Sequence, residues 1–257
     1  SLDTSSLATG AYQIRLAARD AAGNDDTHSV KVVTIHVDNT NPTITLSSLA
    51  AAIHGTVTLT GTAFDNASGD SGLRYSNTDT TSGSRVRISF RPIVGGIAGA
   101  PVHTYFANVD GSGNWTLDVD TTDSWFVDGQ EYRIVARAND NVGATYSDSN
   151  TASVTANTTI DNTAPTLTIG SYSGDDTTPT ITGTTSDATD TVTVDGNPAA
   201  VSSVLNGSGS YDWSYTPTVA FSVGSHTITA VSTDLAGNAT TQTATVTVTS
   251  PVIALVG

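Results

Sequence analysis

The side chains of this chain with chemical potential are mostly aspartates. Of 24 acidic residues, 23 are Asp and only Glu131 is Glu. They recur in two patterns. Asp38-Asn39-Thr40-Asn41-Pro42 returns as Asp161-Asn162-Thr163-Ala164-Pro165, and Asp20, Asp140 and Asp234 each stand three residues before a glycine (Gly23, Gly143, Gly237). Short carboxylates at such spacing serve two purposes. They cap tight turns, and they ligate hard cations such as Ca²⁺, which takes about six to eight oxygens at roughly 2.3–2.6 Å.

Other chemistries find little material. Cys and Met are absent, which excludes disulfides, thiolate metal sites and cysteine nucleophiles. The five histidines (His28, His36, His54, His103, His226) show no HxxH or HExxH spacing, so neither zinc nor a catalytic triad is indicated. No pair of carboxylates has the apolar flanks that a glycosidase acid needs, and the expectation is a protein that is not an enzyme. The net charge is −15, and no Lys or Arg follows Arg137; nucleic acid and anionic membranes are poor partners for such a surface. No apolar run reaches the roughly 18 residues of a membrane span, and the N-terminal residues carry no signal-peptide pattern. A soluble segment with no membrane insertion is expected.

The carboxylates are set in a repeat. GAYQIRLAARDAAGN (10–24), GQEYRIVARANDNVGA (129–144) and GSHTITAVSTDLAGN (224–238) are three copies of one segment, each with a ring (Tyr12, Tyr132, His226) eight residues before the Asp. Pro42 and Gly61 are 19 apart, Pro165 and Gly183 are 18 apart, and each of these glycines lies four residues before an Asp, Asp65 or Asp187. Fixed offsets of this kind mark a structural repeat. Within the copies the apolar residues alternate with period two, as in Tyr132, Ile134, Ala136 and Ala138, with Thr and Val enriched. That pattern predicts half-buried antiparallel strands.

Short strands separated by turn signals every 8–12 residues or so, without helical periodicity, predict all-β tandem Ig-like sandwiches of about 100 residues each. Residues 1–40 supply only the last strands of a first repeat, 41–162 an enlarged complete repeat, and 163–257 a complete third. Trp115 and Trp213 fall at equivalent strand positions and are expected in the two cores. Trp125, with Phe126 and Val127 after it, is expected to pack at a core or corner.

The VDNTxP and IDNTAP linkers, the DxAGN turn and the Gly-x-Trp strand resemble the bacterial Ig-like repeats of giant adhesins exported by type I secretion, notably SiiE-like non-fimbrial adhesins. The likeness spans essentially the whole chain. It implies sandwiches strung into a monomeric rod with Ca²⁺ at the junctions, on a bacterial cell surface. Adhesion to host cell-surface glycans or receptors would then lie in a distal part of the full protein. The pattern lapses before Pro251, where no Asp precedes the proline, so no calcium site is expected below the third repeat.

In an Ig-like sandwich the B–C and F–G loops lie where the chain enters and the E–F loop where it leaves. The first junction should therefore gather Asp38 and Asn39 with Asp65, Asp140 and, from the exit side, Asp3. The second should gather Asp161 and Asn162 with Asp187, Asp234 and either Asp120 or Asp128; Asp20 occupies the corresponding turn of the first repeat. Three carboxylates about 5 Å apart repel by roughly 3 kcal/mol per pair at an effective dielectric of about 20, which a divalent cation would offset. Asx-turn capping alone is the competing reading of each isolated Asp.

Arg85, Arg87 and Arg91 share one face of a strand. Pairing with the chain's own carboxylates is the expected role, with an acidic glycan as the alternative.

Overall fold

The computed structural model describes residues 2–16, 18–24, 31–65, 73, 85–140 and 150–250. Gly143, Arg74, Pro251 and much of the extra segment of the second repeat lie outside them. Every element among the described residues is a strand, and none contains a helix long and apolar enough to cross a membrane.

The chain divides into two compact units. One comprises residues 1–49, 56–126 and 130–158, the other 50–55, 127–129 and 159–257.

In the first unit, Gly10–Leu16 pairs antiparallel with Lys31–Val37, joining Tyr12 to Ile35 and Ile14 to Val33. The rest is built on two sheets. In one, Thr56–Phe64 lies between Thr43–Ile44 and Asn114–Asp120. In the other, Gln130–Asn139 lies between Thr151–Ile160 and Arg85–Val94, which also pairs with His103–Asn108. Period two does what it should here: Val86, Ile88 and Phe90 from one strand and Tyr132, Ile134 and Ala136 from its neighbour are all buried. Phe126 completes this core, with its ring 5.0 Å from Phe90 and 5.5 Å from Tyr132, edge to face. Trp125 stays at the corner, stacked on His103 at 4.2 Å and donating its indole N–H to Tyr105 Oη (3.1 Å).

In the second unit, Tyr172–Gly174, Ala239–Val248, Gly224–Thr233, Thr191–Val194 and Asn197–Pro198 form one sheet, and Ile181–Thr185, Tyr211–Tyr215 and Ala200–Leu205 the other. Leu167, Ile181, Val192, Val194, Trp213, Ile228, Ala230, Val246 and Val248 fill the core. The residues 159 and 160 that end the strand Thr151–Ile160 also belong to this unit, where they pair with Ala52 and Ile53.

One detail departs from a purely antiparallel reading. Ala52–Ile53 pairs in parallel with residues 159–160, and Tyr172–Gly174 pairs in parallel with 246–248. The chain enters along one sheet, through Thr43–Ile44 on 63–64 or Leu167 on Thr185. It then crosses to the edge of the other sheet, where its direction matches that of the last strand.

The two tryptophans explain the glycines at fixed distance from the linker prolines. Each indole is 1% exposed and lies against a glycine on the facing strand, Trp115 opposite Gly61 and Trp213 opposite Gly183. A Cβ on Gly61 would stand 2.1 Å from Thr45 O and 2.6 Å from the Trp115 ring; on Gly183 the values are 2.0 Å from Thr168 O and 2.6 Å from Trp213. Only glycine fits beneath the ring.

Candidate metal centre and the linker seams

Each Asp-x-x-Gly turn begins as a strand end closed by its own carboxylate. Asp234 Oδ1 accepts the backbone N–H of Gly237 (2.8 Å) and of Asn238 (2.9 Å), and Asp234 Oδ2 accepts the Asn238 side-chain amide (2.9 Å). Asp20 closes its loop in the same way, through Ala22 N (3.0 Å), Asn24 N (2.8 Å) and Asn24 Nδ2 (2.9 Å). These bonds, the Asn24 side chain first, hold the Asp20 carboxyl below the usual carboxylate range. At Asp140 the partner is Asn150, ten residues on, which donates N–H to Oδ1 (3.0 Å) and its amide to Oδ2.

The same ring of bonds occurs where no linker is involved. Asp110 accepts from Ser112 N and Asn114 N (2.8 Å each) and from Asn114 Nδ2 (3.2 Å). Capping is therefore what an Asp-x-x-Gly-Asn loop does by itself.

Two of these loops do more, because their asparagine also grips a linker. Asn150 Nδ2 donates to Asp38 O (3.0 Å), and Asn238 Nδ2 donates to Asp161 O (2.8 Å). Sequence reasoning passed over both asparagines, although Asn24 and Asn238 end the DxAGN motif it used.

The repeated Asp-Asn-Thr then resolves residue by residue. Asp38 Oδ1 accepts Thr40 N (3.0 Å) and Asp161 Oδ1 accepts Thr163 N (3.2 Å), so each linker Asp closes a local turn. The asparagine reaches the other way: Asn39 Nδ2 donates to Thr4 O (2.9 Å) and Leu7 O (2.8 Å), while Asn162 Oδ1 accepts Gly55 N (2.8 Å). The threonine follows, Thr40 Oγ1 meeting Thr9 Oγ1 at 2.8 Å and Thr163 Oγ1 donating to Asp128 Oδ2. Asp128 also accepts Asn162 N. The Thr163 hydroxyl first and this N–H second lower its carboxyl from the usual range.

Of the residues expected at the first junction, the fold brings together Asp38, Asp65 and Asp140. Each offers a carboxylate oxygen, and these oxygens all lie within 4.8 Å of one another. Among the described residues this is the only such group of three or more. Asp38 is 6% exposed and Asp140 0%. Asp3 stands apart, exposed, with Oδ1 on Ser5 N (2.9 Å).

At this spacing each ionised pair costs about 3 kcal/mol at an effective dielectric of roughly 20. Three pairs approach the whole stability of an ordinary domain, about 5–15 kcal/mol. A compact set of oxygen donors with negative charge to spare fits a hard divalent cation.

The corresponding set in the third repeat is dispersed. Asp187 Oδ1 accepts Thr189 N (2.8 Å) and Thr189 Oγ1 (2.9 Å), bonds that lower its carboxyl from the usual range. Asp120 likewise caps Thr122, through N–H (2.9 Å) and hydroxyl (2.7 Å). Of the two exit-side alternatives, then, Asp128 rather than Asp120 reaches the linker. The buried acid of the third repeat is Asp190, which sequence reasoning did not single out. Its Oδ2 lies 2.7 Å from Thr185 Oγ1, 3.3 Å from Ser186 Oγ and 2.9 Å from Asp187 N.

The arginines follow a different course. Arg85 donates to Asn108 Oδ1 (2.9 Å) and Arg91 to Gly99 O (3.2 Å), so for Arg91 the expected carboxylate partner gives way to a neutral carbonyl.

Comparison with known proteins bears on the whole chain. The family described as "Bacterial Ig-like domain (group 3)" matches residues 1–147, and a further "Bacterial Ig-like domain" family matches residues 173–249. Among solved structures, a tetra-tandem repeat from the extending region of a large adhesion protein is similar at 26% identity and TM-score 0.34, covering 95% of this chain and 58% of that one. A Ca²⁺-stabilized adhesin with which an Antarctic bacterium reaches out and binds ice is 22% identical, TM-score 0.36, with 94% and 57% covered. A 1.5-MDa bacterial ice-binding adhesin is 24% identical, TM-score 0.34, with 83% and 67% covered. The chain thus spans less than two thirds of the first two of these structures. No curated protein matches it.

Proposed function

The chain belongs to the bacterial Ig-like domain family, and from that premise we propose that it is a structural segment of a bacterial surface adhesin whose first repeat junction is stiffened by calcium. The observation that carries this is the trio Asp38, Asp65 and Asp140, with carboxylate oxygens within 4.8 Å. Asp38 belongs to the linker, Asp65 to the loop after one strand and Asp140 to the end of another. An ion held by all three would neutralise their repulsion and tie linker to loops. Extracellular calcium modules bind at about 10⁻⁴–10⁻³ M, so such a site fills outside a cell and empties inside one.

On this reading residues 1–40, 41–162 and 163–257 are successive repeats of a secreted, type I-exported, SiiE-like protein. Attachment to host glycans or receptors is carried elsewhere in it, and the segment itself is structural rather than catalytic. The second junction, if it takes calcium through Asp161, Asp187 and Asp234, does so more weakly, because these carboxylates do not converge as Asp38, Asp65 and Asp140 do.

Small-angle scattering of the chain in calcium and in EDTA tests the reading. Calcium should narrow the distribution of particle dimensions in the native chain and leave the Asp65→Asn chain as it is in EDTA. Profiles that superimpose with and without calcium would refute the stiffening.

A further inference from the structure

The second repeat carries a cluster of rings that the third lacks, and a change of strand partner creates it. In the third repeat the strand Ala200–Leu205 leaves the sheet of Thr191–Val194 and pairs with Tyr211–Tyr215 in the other sheet. In the second, His103–Asn108 stays on the sheet of Arg85–Val94 and pairs with that strand. The register sets His103 opposite Phe90 and Tyr105 opposite Ile88, both buried, so both rings take the core side of the sheet. Trp125 reaches them from the corner. At the equivalent place the third repeat has Ala220 before Phe221, where the second has Trp125 before Phe126. The two phenylalanines correspond, since each meets the ring of the next strand, Phe126 with Tyr132 at 5.5 Å and Phe221 with His226 at 5.0 Å.

The indole is fixed by its neighbours. His103 lies nearly parallel to it, at 4.2 Å and 13° between planes, and the indole N–H donates to Tyr105 Oη at 3.1 Å. Tyr105 is anchored in turn, edge to face on Phe90 at 5.9 Å. Trp125 is nevertheless 37% exposed. Its one polar group is already satisfied, so what it shows to water is rigid apolar ring. Corner packing accounts for the face against His103. It does not call for so large a side chain, since the third repeat makes the same corner with Ala220.

Polar groups stand at the rim of this ring. Burial first, with the charges of Asp123 and Asp120 in support, holds the Tyr105 hydroxyl above its usual value. It therefore stays protonated, and having accepted the indole N–H it keeps a hydrogen to donate. Asp123, placed by its backbone bonds to Asp120 O (3.4 Å) and from Phe126 N (3.0 Å), is half-buried and presents a carboxylate acceptor. A fixed apolar ring with one donor and one acceptor beside it suits a sugar: the C–H face of a pyranose stacks, and its hydroxyls bond at the edge. Two carboxylates near the ring and a net charge of −15 disfavour an anionic sugar. With His103 on one face, the indole forms a flat platform and not the aromatic cage that encloses a quaternary ammonium.

We propose that this corner of the second repeat binds a neutral saccharide, with one pyranose ring stacked on Trp125, a sugar hydroxyl donating to the Asp123 carboxylate and another accepting from the Tyr105 hydroxyl. The contact is additional to any attachment at the distal end of the adhesin. It is also independent of calcium at Asp38, Asp65 and Asp140: failure of calcium binding would leave it standing, and its own failure would leave the calcium reading intact.

The test follows the indole N–H resonances of the three tryptophans by NMR while the whole chain is titrated with maltohexaose, cellohexaose, mannohexaose and N-acetylchitohexaose. At least one of these neutral sugars should move the Trp125 resonance and leave those of the buried Trp115 and Trp213 in place, with a dissociation constant of about 0.1–10 mM. Trp125→Ala should abolish the binding and Trp125→Phe should retain it. Asp123→Ala, which leaves the core rings untouched, should weaken it about tenfold, as for loss of one hydrogen bond to a charged group. Hexagalacturonate and choline should each bind more weakly than the best neutral sugar. No shift of the Trp125 resonance with any of the four sugars, unchanged affinity in Trp125→Ala or Asp123→Ala, or hexagalacturonate or choline binding as tightly as the best neutral sugar would overturn the proposal.

Discussion

The two linker seams are made from the same words and solve the burial of acid differently. At both, an asparagine closes the loop of an Asp and holds a linker carbonyl, Asn150 on Asp38 and Asn238 on Asp161. The difference lies two residues before each loop Asp. In the third repeat these positions are Thr185 and Ser232, whose hydroxyls lie 2.8 Å apart, and Thr185 reaches the buried Asp190. In the second repeat they are Ala63 and Ala138, both buried. One seam meets its carboxylate with hydroxyls, while the other sets three carboxylates together with methyl groups in those places. Hydrogen bonds from Thr40 and Asn150 reach Asp38 and Asp140 but leave the mutual repulsion of three carboxylates, which a divalent cation would offset.

Calcium should therefore act on the two seams unequally, and this is the largest expected effect. At a calcium concentration about 100 times the dissociation constant the first site contributes about 2.7 kcal/mol. Differential scanning calorimetry should show a calcium-dependent rise in melting temperature that Asp65→Asn abolishes and Asp187→Asn preserves. A rise of equal size in both variants would erase the distinction between the seams.

Next in size is the hydroxyl network. Thr185→Ala leaves the buried Asp190 short of its closest donor, at a cost of about 1–3 kcal/mol. Denaturant unfolding should register that loss, and added calcium should not reverse it. Recovery with calcium would mean that the third repeat has a latent cation site of its own.

Smaller again is the asparagine grip. Asn238→Ala removes bonds to Asp234 and to the linker, and should cost about 1 kcal/mol more than Asn114→Ala, which removes only a turn bond, at about 0.5–1.5 kcal/mol per bond. Equal losses would show that the linker contact contributes nothing.

Much of this was legible in the sequence because it is local. Period-two alternation gave the strands, and the distances from Pro42 to Gly61 and from Pro165 to Gly183 reflect a glycine lying beneath each tryptophan. The Asp-x-x-Gly turn is likewise set by neighbours within four residues. What stayed hidden depends on register and on insertions. Asn150 stands ten residues after Asp140, where its counterparts stand four after theirs, so the motif gave no sign of it. Arg133 and Arg137 face Arg91 and Arg87 only through strand pairing. Asp190 is held by Thr185, Ser186 and the Asp187 N–H, and Ser232, which meets Thr185 from 47 residues further along the chain, joins that network only through the strand pairing.

Acid should produce the smallest distinction. Asp128 and Asp187 have carboxyls held below their ordinary value of 3.8 by hydrogen bonds. A carboxyl depressed in the folded state contributes stability that is present above the unfolded value and lost as pH falls through the folded one. Melting temperature should thus be flat above about pH 5 in EDTA and fall below about pH 4, with Asp128→Asn reducing the fall.

The most direct test is calorimetric titration of the chain with calcium, in parallel with Asp65→Asn. The account predicts one saturable site with a dissociation constant near 10⁻⁴–10⁻³ M, about that of extracellular calcium modules, absent from the variant. No binding heat in the native chain, or the same isotherm in both proteins, would contradict it.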